Sequence, residues 1–376
     1  MSSKAGLESL KYLPSAESVQ RDEPGTSKSK GGDESFPRVG EPNEPPASFS
    51  PVVLDKIDEC LYRGPKERLW RPTGQRGVFG GQVMGQSLAA ALGTVPKDKE
   101  LHSMHSYFLR AGKETSDIIY HVLVLRDGRS FATRLVTAQQ NGRPIFVLIA
   151  SFQKPVLASL LHQDVMPMVP SPESLMTQKE YLQAVIDDPR CAEKYKPVLQ
   201  TRMKHEGPVD IRIVLAPDLF EGRPASKQYK APEYPKYTHE HRQIVWMRTK
   251  TKLPDDIDVH RSVLAYASDM GLLTTARGST PFNELAMVAS LDHSMWFHSS
   301  FRMDDWMLYV MDSPRVNKER GLAFGKLYRR DGTLAVTVSQ EGLIRLRRDA
   351  PKPTPNLATL IAKADSDEQT KKGSKL

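Results

Sequence analysis

Residues 289–298 read ASLDHSMWFH, so Asp292, His293 and Ser294 stand side by side. These are the three residue types of a nucleophilic hydrolase relay, and His and Asp also bind metals. A strand carries side chains on alternate faces, so Asp292 and Ser294 point one way and His293 the other. Neighbours in one strand therefore cannot form a relay among themselves. A metal site would have to draw His102, His105 or His298 to His293, yet no HxxxH helix and no cysteine ligand supports one. No GxSxG elbow is present for α/β-hydrolase chemistry. His293 and Trp296 read as packing residues with polar tips satisfied locally. A more unusual carboxylate is Asp269, in LAYASDMGLL. Its i−4, i+3 and i+4 neighbours are Ala265, Leu272 and Leu273, and an ionised Asp in such a place needs partners. The plainer reading is an Asp exposed near a helix end.

The elements that must position these residues come in two similar sets. In the first, FGGQVMGQSLAAALGTV (79–95) is apolar or small on nearly every face and predicts a buried helix. The strand LHSMHSYFLRAG follows, then three more strands with turns at Arg126-Asp127-Gly128 and Asn141-Gly142. In the second, RSVLAYASDMGLLTTA (261–276) predicts another buried helix. LDHSMWFHSSF follows as a strand, then further strands with a turn at Asp331-Gly332. His102-Ser103-Met104 and His293-Ser294-Met295 lie 191 residues apart, and the two Gly turns lie 190 apart. Two landmarks at one offset indicate an internal duplication. Each half is then a buried helix covered by a curved antiparallel sheet.

SPESLMTQKEYLQAVIDDPRCAEKYK (171–196) has helical periodicity, with Ser171 as N-cap and Pro172 at the first helical position. It reads as a surface connector. VDIRIVL and RQIVWMR add strands to the second sheet. The expected organisation is an N-terminal extension over 1–50, a first domain over 51–156, a partly helical linker over 157–206, a second domain over 207–348 and a tail over 349–376. The extension is rich in Ser, Gly, Pro, Glu and Lys, which predicts disorder.

With 376 residues and 26% charged side chains, the composition is that of an ordinary globular protein. No run approaches the roughly 18 apolar residues of a membrane span, and the first residues lack a signal peptide's apolar core. Only Cys60 and Cys191 occur, which excludes a disulfide framework and points to a reducing or thiol-neutral compartment. The formal charge is +8. The first 50 residues hold six Lys/Arg and eight Asp/Glu, which leaves +10 on the rest. No basic block with interleaved aromatics favours nucleic acid. The excess is compatible with an anionic small molecule, and equally with a well-solvated surface. Ser374-Lys375-Leu376 has the form of a peroxisomal address read by an import receptor.

The blocks FGGQVMGQSLAAA, HSYFLRAG, LRDGRSFATR, NGRPIF, ASFQ, YASDMGLL, LDHSMWFH and VSQEG, in this order and spacing, resemble the acyl-CoA thioesterase II family, the TesB-like thioesterases. With its Ser-Lys-Leu end the chain is similar to the peroxisomal members of animals. The resemblance covers roughly Ser50 to Arg348. The 50-residue head has no counterpart in the family. The resemblance implies an α+β fold, the double hotdog, and hydrolysis of fatty acyl-CoA to free acid and CoA with no metal, no cofactor and no acyl-enzyme. It assigns the acidic catalytic residue to Asp269 in YASD, the hydroxyl to Ser290 before DHSMWFH, and the glutamine to Gln340 in VSQEG. Without it, Ser290 would be an unremarkable strand serine and Gln340 a surface residue.

The three groups make chemical sense together. A thioester carbonyl is already electrophilic and a thiolate leaves readily, so one oriented water suffices. Asp269 can accept its proton, while Gln340 and Ser290 position it. The first-half helix carries no carboxylate, only Gln82 and Gln86 as long polar side chains. One site per chain is therefore expected, assembled mainly from the second half, with the first half shaping the acyl channel and the pantetheine groove. Arg76, Arg110, Lys113 and Arg302 are candidates for the CoA phosphates. The rival readings are a non-catalytic acyl-CoA-binding double hotdog and a hydratase, which would need a His soon after YASD. Long sheet edges and the family likeness imply a homo-oligomer.

Overall fold

The computed structural model describes residues 52–349, apart from 73–74, 192, 205–206, 217–240, 279 and 281–283. The extension over 1–50 and the Ser374-Lys375-Leu376 end lie outside the described residues.

The first half begins with the short strands β1 (Asp55–Asp58) and β2 (Leu61–Gly64). The helix α1 (Gly80–Leu92) follows, then the long strands β3 (Glu100–Phe108), β4 (Ile118–Asp127), β5 (Phe131–Gln140) and β6 (Arg143–Gln153). The connector carries α2 (Gln178–Asp187) and α3 (Lys196–Lys204). The second half then runs through β7 (Val209–Leu215), β8 (Arg242–Thr249), α4 (Ile257–Ser268), α5 (Leu272–Arg277), β9 (Leu285–Ser290), β10 (Asp292–Phe297), β11 (Met307–Asn317), β12 (Arg320–Arg329) and β13 (Leu334–Leu346).

The thirteen strands among the described residues form one sheet, in the order β1-β2-β4-β5-β6-β3-β10-β13-β12-β11-β8-β7, with β9 also on β13. Read outward from its middle, the order β3-β6-β5-β4-β2-β1 is matched by β10-β13-β12-β11-β8-β7. The halves meet through antiparallel β3 and β10, where Met104 faces Met295. These methionines are 191 residues apart, the repeat offset, so a pseudo-twofold axis passes between them. Asn141 and Gly142 take the positive φ angles of a two-residue hairpin turn, as the sequence predicts.

The two long helices lie side by side under this sheet. A Cβ on Gly81 would stand 2.3 Å from Tyr266 O, and one on Gly85 2.8 Å from Ser262 O. The start of α1 therefore abuts the end of α4, and glycine is what permits the approach. An almost wholly apolar α1 is thus covered by sheet on one side and by α4 on the other.

Two helical expectations are corrected. The stretch 261–276 is not one helix. It begins earlier, at Ile257 behind the N-cap Asp256, and breaks after Ser268; α5 restarts at Leu272. Gly271, at φ +85, makes the break. Asp269 is consequently the C-cap of α4 and not an interior residue. In the connector, Ser171 and Pro172 begin only a single 3₁₀ turn. The helix starts at Gln178, because Thr177 and Glu180 form a reciprocal capping box that Ser171 cannot.

Candidate active site

The break after α4 turns the Asp269 carboxylate toward the start of α1. Its Oδ2 accepts a hydrogen bond from Gly81 N at 2.8 Å, and its Oδ1 accepts one from Gln340 Nε2 at 2.7 Å. The same Nε2 donates to Ser290 Oγ at 2.9 Å. Asp269, Ser290 and Gln340, from α4, β9 and β13, therefore form one connected group. Helix α1 has no acidic residue in its first turn and no side-chain cap. Asp269 supplies that negative charge from the other half of the chain, where the helix dipole favours it. Burial pushes the Asp269 carboxyl above the usual carboxylate range, and the bonds from Gln340 and Gly81 partly oppose the shift.

Ser290 reaches this group through an irregularity in the sheet. Ser290 pairs with Gly342 and Ser294 with Ser339. The chain thus takes four steps on β9–β10 for three on β13, which is a β-bulge. Paired residues share a face, so the bulge turns Ser290 inward beside fully buried Gln340. Ser294 points the other way, toward His105 Nδ1 at 3.1 Å. His293 is fully buried on the face opposite Ser294, as strand alternation requires.

The first half contributes to this group directly, through the Gly81 amide. Sequence reasoning did not single out this donor, because every non-proline residue carries a backbone amide. Gln82 and Gln86 are structural. Gln82 bonds Trp70 N and Arg68 O, and Gln86 accepts from the Tyr120 hydroxyl.

The pseudo-symmetric position holds no such group. With Ser103 and Ser151 paired as Ser294 and Ser339 are, Gln340 corresponds to Phe152, and the α1 C-cap is Gly93 where α4 has Asp269. A cavity of about 160 Å³ does lie there, between Leu92, Val95, Arg261 and Asp258. Its charges pair with one another, Lys97 to Asp258 at 3.4 Å and Arg261 to Asp258 at 3.0 Å.

The four histidines weighed as metal ligands each bond a different hydroxyl: His102 to Ser151, His105 to Ser294, His293 to Ser268 and His298 to Thr337. Among the cations, Arg76, Arg110 and Lys113 are exposed on segments joined where Val78 N donates to Gly112 O, close before α1. Arg302 is set apart from them, held by Asp255 and Asp304 beside the start of α4.

Two family models match the chain: acyl-CoA thioesterase N-terminal domain over residues 67–153 and acyl-CoA thioesterase over 219–343. Acyl-coenzyme A thioesterase 8 of Mus musculus is 43% identical over 300 residues, covering 79% of this chain and 88% of the relative. Acyl-CoA thioesterase 2 of Haemophilus influenzae is 37% identical, over 78% of this chain and 95% of the relative. The peroxisomal acyl-coenzyme A thioester hydrolase 1 of Saccharomyces cerevisiae is 27% identical, over 77% of this chain and 94% of the relative. Among solved structures, the acyl-CoA thioesterase II TesB2 of Mycobacterium marinum superposes with TM-score 0.60 at 34% identity, over 80% of this chain and 98% of that one. Sequence blocks, a mirrored hotdog sheet and relatives that span nearly their whole length agree: the chain belongs to the acyl-CoA thioesterase family and is a thioester hydrolase of double hotdog fold.

Proposed function

We propose that the chain hydrolyses fatty acyl-CoA at Asp269, Ser290 and Gln340 without an acyl-enzyme. The observation that carries this reading is the single Gln340 amide bonded to both Asp269 and Ser290. Ionised Asp269 accepts a proton from water. Ser290 Oγ already accepts from Gln340, so its own hydrogen is free to orient that water or the thioester oxygen. Base assistance of this kind contributes ~10²- to 10⁴-fold. Among the described residues no imidazole bonds Ser290, so none of them makes this serine a nucleophile. Among the described residues, exposed Arg76, Arg110 and Lys113, close before α1, are the cations we assign to the CoA phosphates. The test is thiol release from palmitoyl-CoA with mass spectrometry of acid-quenched enzyme. Asp269→Asn loses turnover by ~10²-fold or more and stays folded, because Gln340 can turn its amide over. An acyl adduct on Ser290 or Asp269, or full turnover by the variant, would overturn the reading.

We further place the enzyme in the peroxisome. Ser374-Lys375-Leu376 and the printed name of the yeast relative support this. A fluorescent fusion that stays peroxisomal after deletion of the tripeptide would contradict that route.

Finally, we infer a homo-oligomer. The outer face of the second-half sheet, with Trp246, Leu308, Val310 and Tyr328, is covered by Met166, Val169 and Leu175 of the connector. The matching first-half face leaves Tyr107, Leu123 and Ile149 exposed at 59%, 55% and 44%.

A further inference from the structure

The Asp-His pair inside ASLDHSMWFH is not part of the reacting group, yet each member holds the chain neighbour of one that is. The bulge after Ser290 takes Glu341 N–H out of the regular ladder. Asp292 Oδ1 accepts from it at 2.7 Å, and Leu291 N donates to Glu341 O at 2.9 Å. Glu341 is the residue after Gln340. On the opposite face, the His293 ring lies with Nε2 3.0 Å from Ser268 Oγ, both residues being fully buried. Ser268 is the residue before Asp269. Its hydroxyl hydrogen is directed to Ala265 O at 3.0 Å, so the ring meets the oxygen through Nε2–H. Ser106 Oγ donates to His293 O at 2.7 Å and ties this part of β10 to β3.

We propose that Asp292 and His293 are positioning residues for hydrolysis, Asp292 setting the backbone of Gln340 and His293 setting the point where Asp269 leaves α4. One short strand thereby registers all three site groups, since Ser290 lies two residues before Asp292. Burial keeps the ring neutral by lowering its pKa to about 3, so the donor state persists across the working pH range. The expected effect lies in kcat, because misplacement by about 1 Å costs on the order of 10²-fold while the remote CoA contacts that set KM remain.

The inference rests on the hydrolytic reading above. The experiment measures kcat and KM for palmitoyl-CoA in the full chain. Asp292→Ala and His293→Leu are expected to lower kcat about 10- to 100-fold with KM within about threefold. Asp292→Asn, which keeps the acceptor, and His293→Gln, which keeps a donor, are expected to hold kcat within about threefold of wild type. Should His293→Leu fail to fold, Ser268→Ala removes the same contact without a large cavity and should show the same loss. The double variant should lose no more than either single change. Wild-type kcat in folded Asp292→Ala or Ser268→Ala overturns the proposal, as does equal loss in the Asn and Gln variants. Such a result beside an inactive Asp269→Asn leaves the hydrolytic reading standing; full turnover by Asp269→Asn defeats that reading itself.

Discussion

At the residue scale, Gln340 donates twice through Nε2, while its Oε1 is buried without a partner among the described residues. That orientation suits an ionised Asp269, since a protonated carboxyl would compete as a donor. Burial raises the Asp269 carboxyl and the Gln340 bond lowers it again. Removing Gln340 leaves burial less opposed, so the pKa climbs further. A base works only when deprotonated, so activity is lost as pH falls through its pKa. Gln340→Leu should therefore move the acid limb of kcat/KM to higher pH as well as lower its plateau. A limb unmoved from wild type would count against Asp269 as the base. The same raised pKa acts on stability with a definite sign. The carboxyl favours the folded state fully below its unfolded value, and that benefit is lost as pH rises through the folded one. The site is thus held in a state that costs the fold something near neutral pH.

At the element scale, the site depends on where α1 and α4 touch. Gly81 serves twice: its missing Cβ admits Tyr266 O, and its amide holds Asp269. Gly81→Ala should push the helices apart, costing about 1–3 kcal/mol of stability by overpacking, and should lower kcat further than the stability loss explains. Thr177→Ala is the control. It removes the α2 capping box at a cost of about 1 kcal/mol and leaves kcat unchanged. Thermal melts with steady-state kinetics check both. Equal kcat loss in the two variants would mean that general destabilisation, not the Gly81 contact, governs activity. The sequence showed both buried helices through their all-round apolar character. It did not show that the second would break at Gly271, because the periodicity of 261–276 continues through the break.

At the scale of the whole molecule, the two halves share a strand order but not a covering. The bare first-half face spans about five strands at ~4.8 Å spacing and about ten residues at ~3.4 Å rise. That is on the order of 800 Å² per partner, the size of a stable interface. Its central row runs Leu123, Leu135, Ile149, His105 and Ser294 with no charged side chain. Sedimentation analysis should find a dimer or larger assembly in the wild type and a monomer in Ile149→Lys. A wild-type monomer, or an unchanged assembly in the variant, would rule this face out.

The duplication, the buried helices and the hairpin turns were legible in the sequence, and the family resemblance named Asp269, Ser290 and Gln340 as candidates, because periodicity, Gly turns and family motifs are local in the chain. The role of the plain Asp-His-Ser run was legible only as an exclusion: alternation along a strand separates its members. What brings the three site residues together is not local. Asp269 and Gln340 are 71 residues apart, Gly81 and Asp269 188 apart, and they meet through a helix break, a bulge and a pseudo-twofold axis. The donation from Gly81 comes from a backbone amide, which every non-proline residue possesses and no sequence marks. Only the packing of α1 against α4 decides which amide faces the carboxylate, because that choice depends on two glycines fitting against carbonyls of the other half.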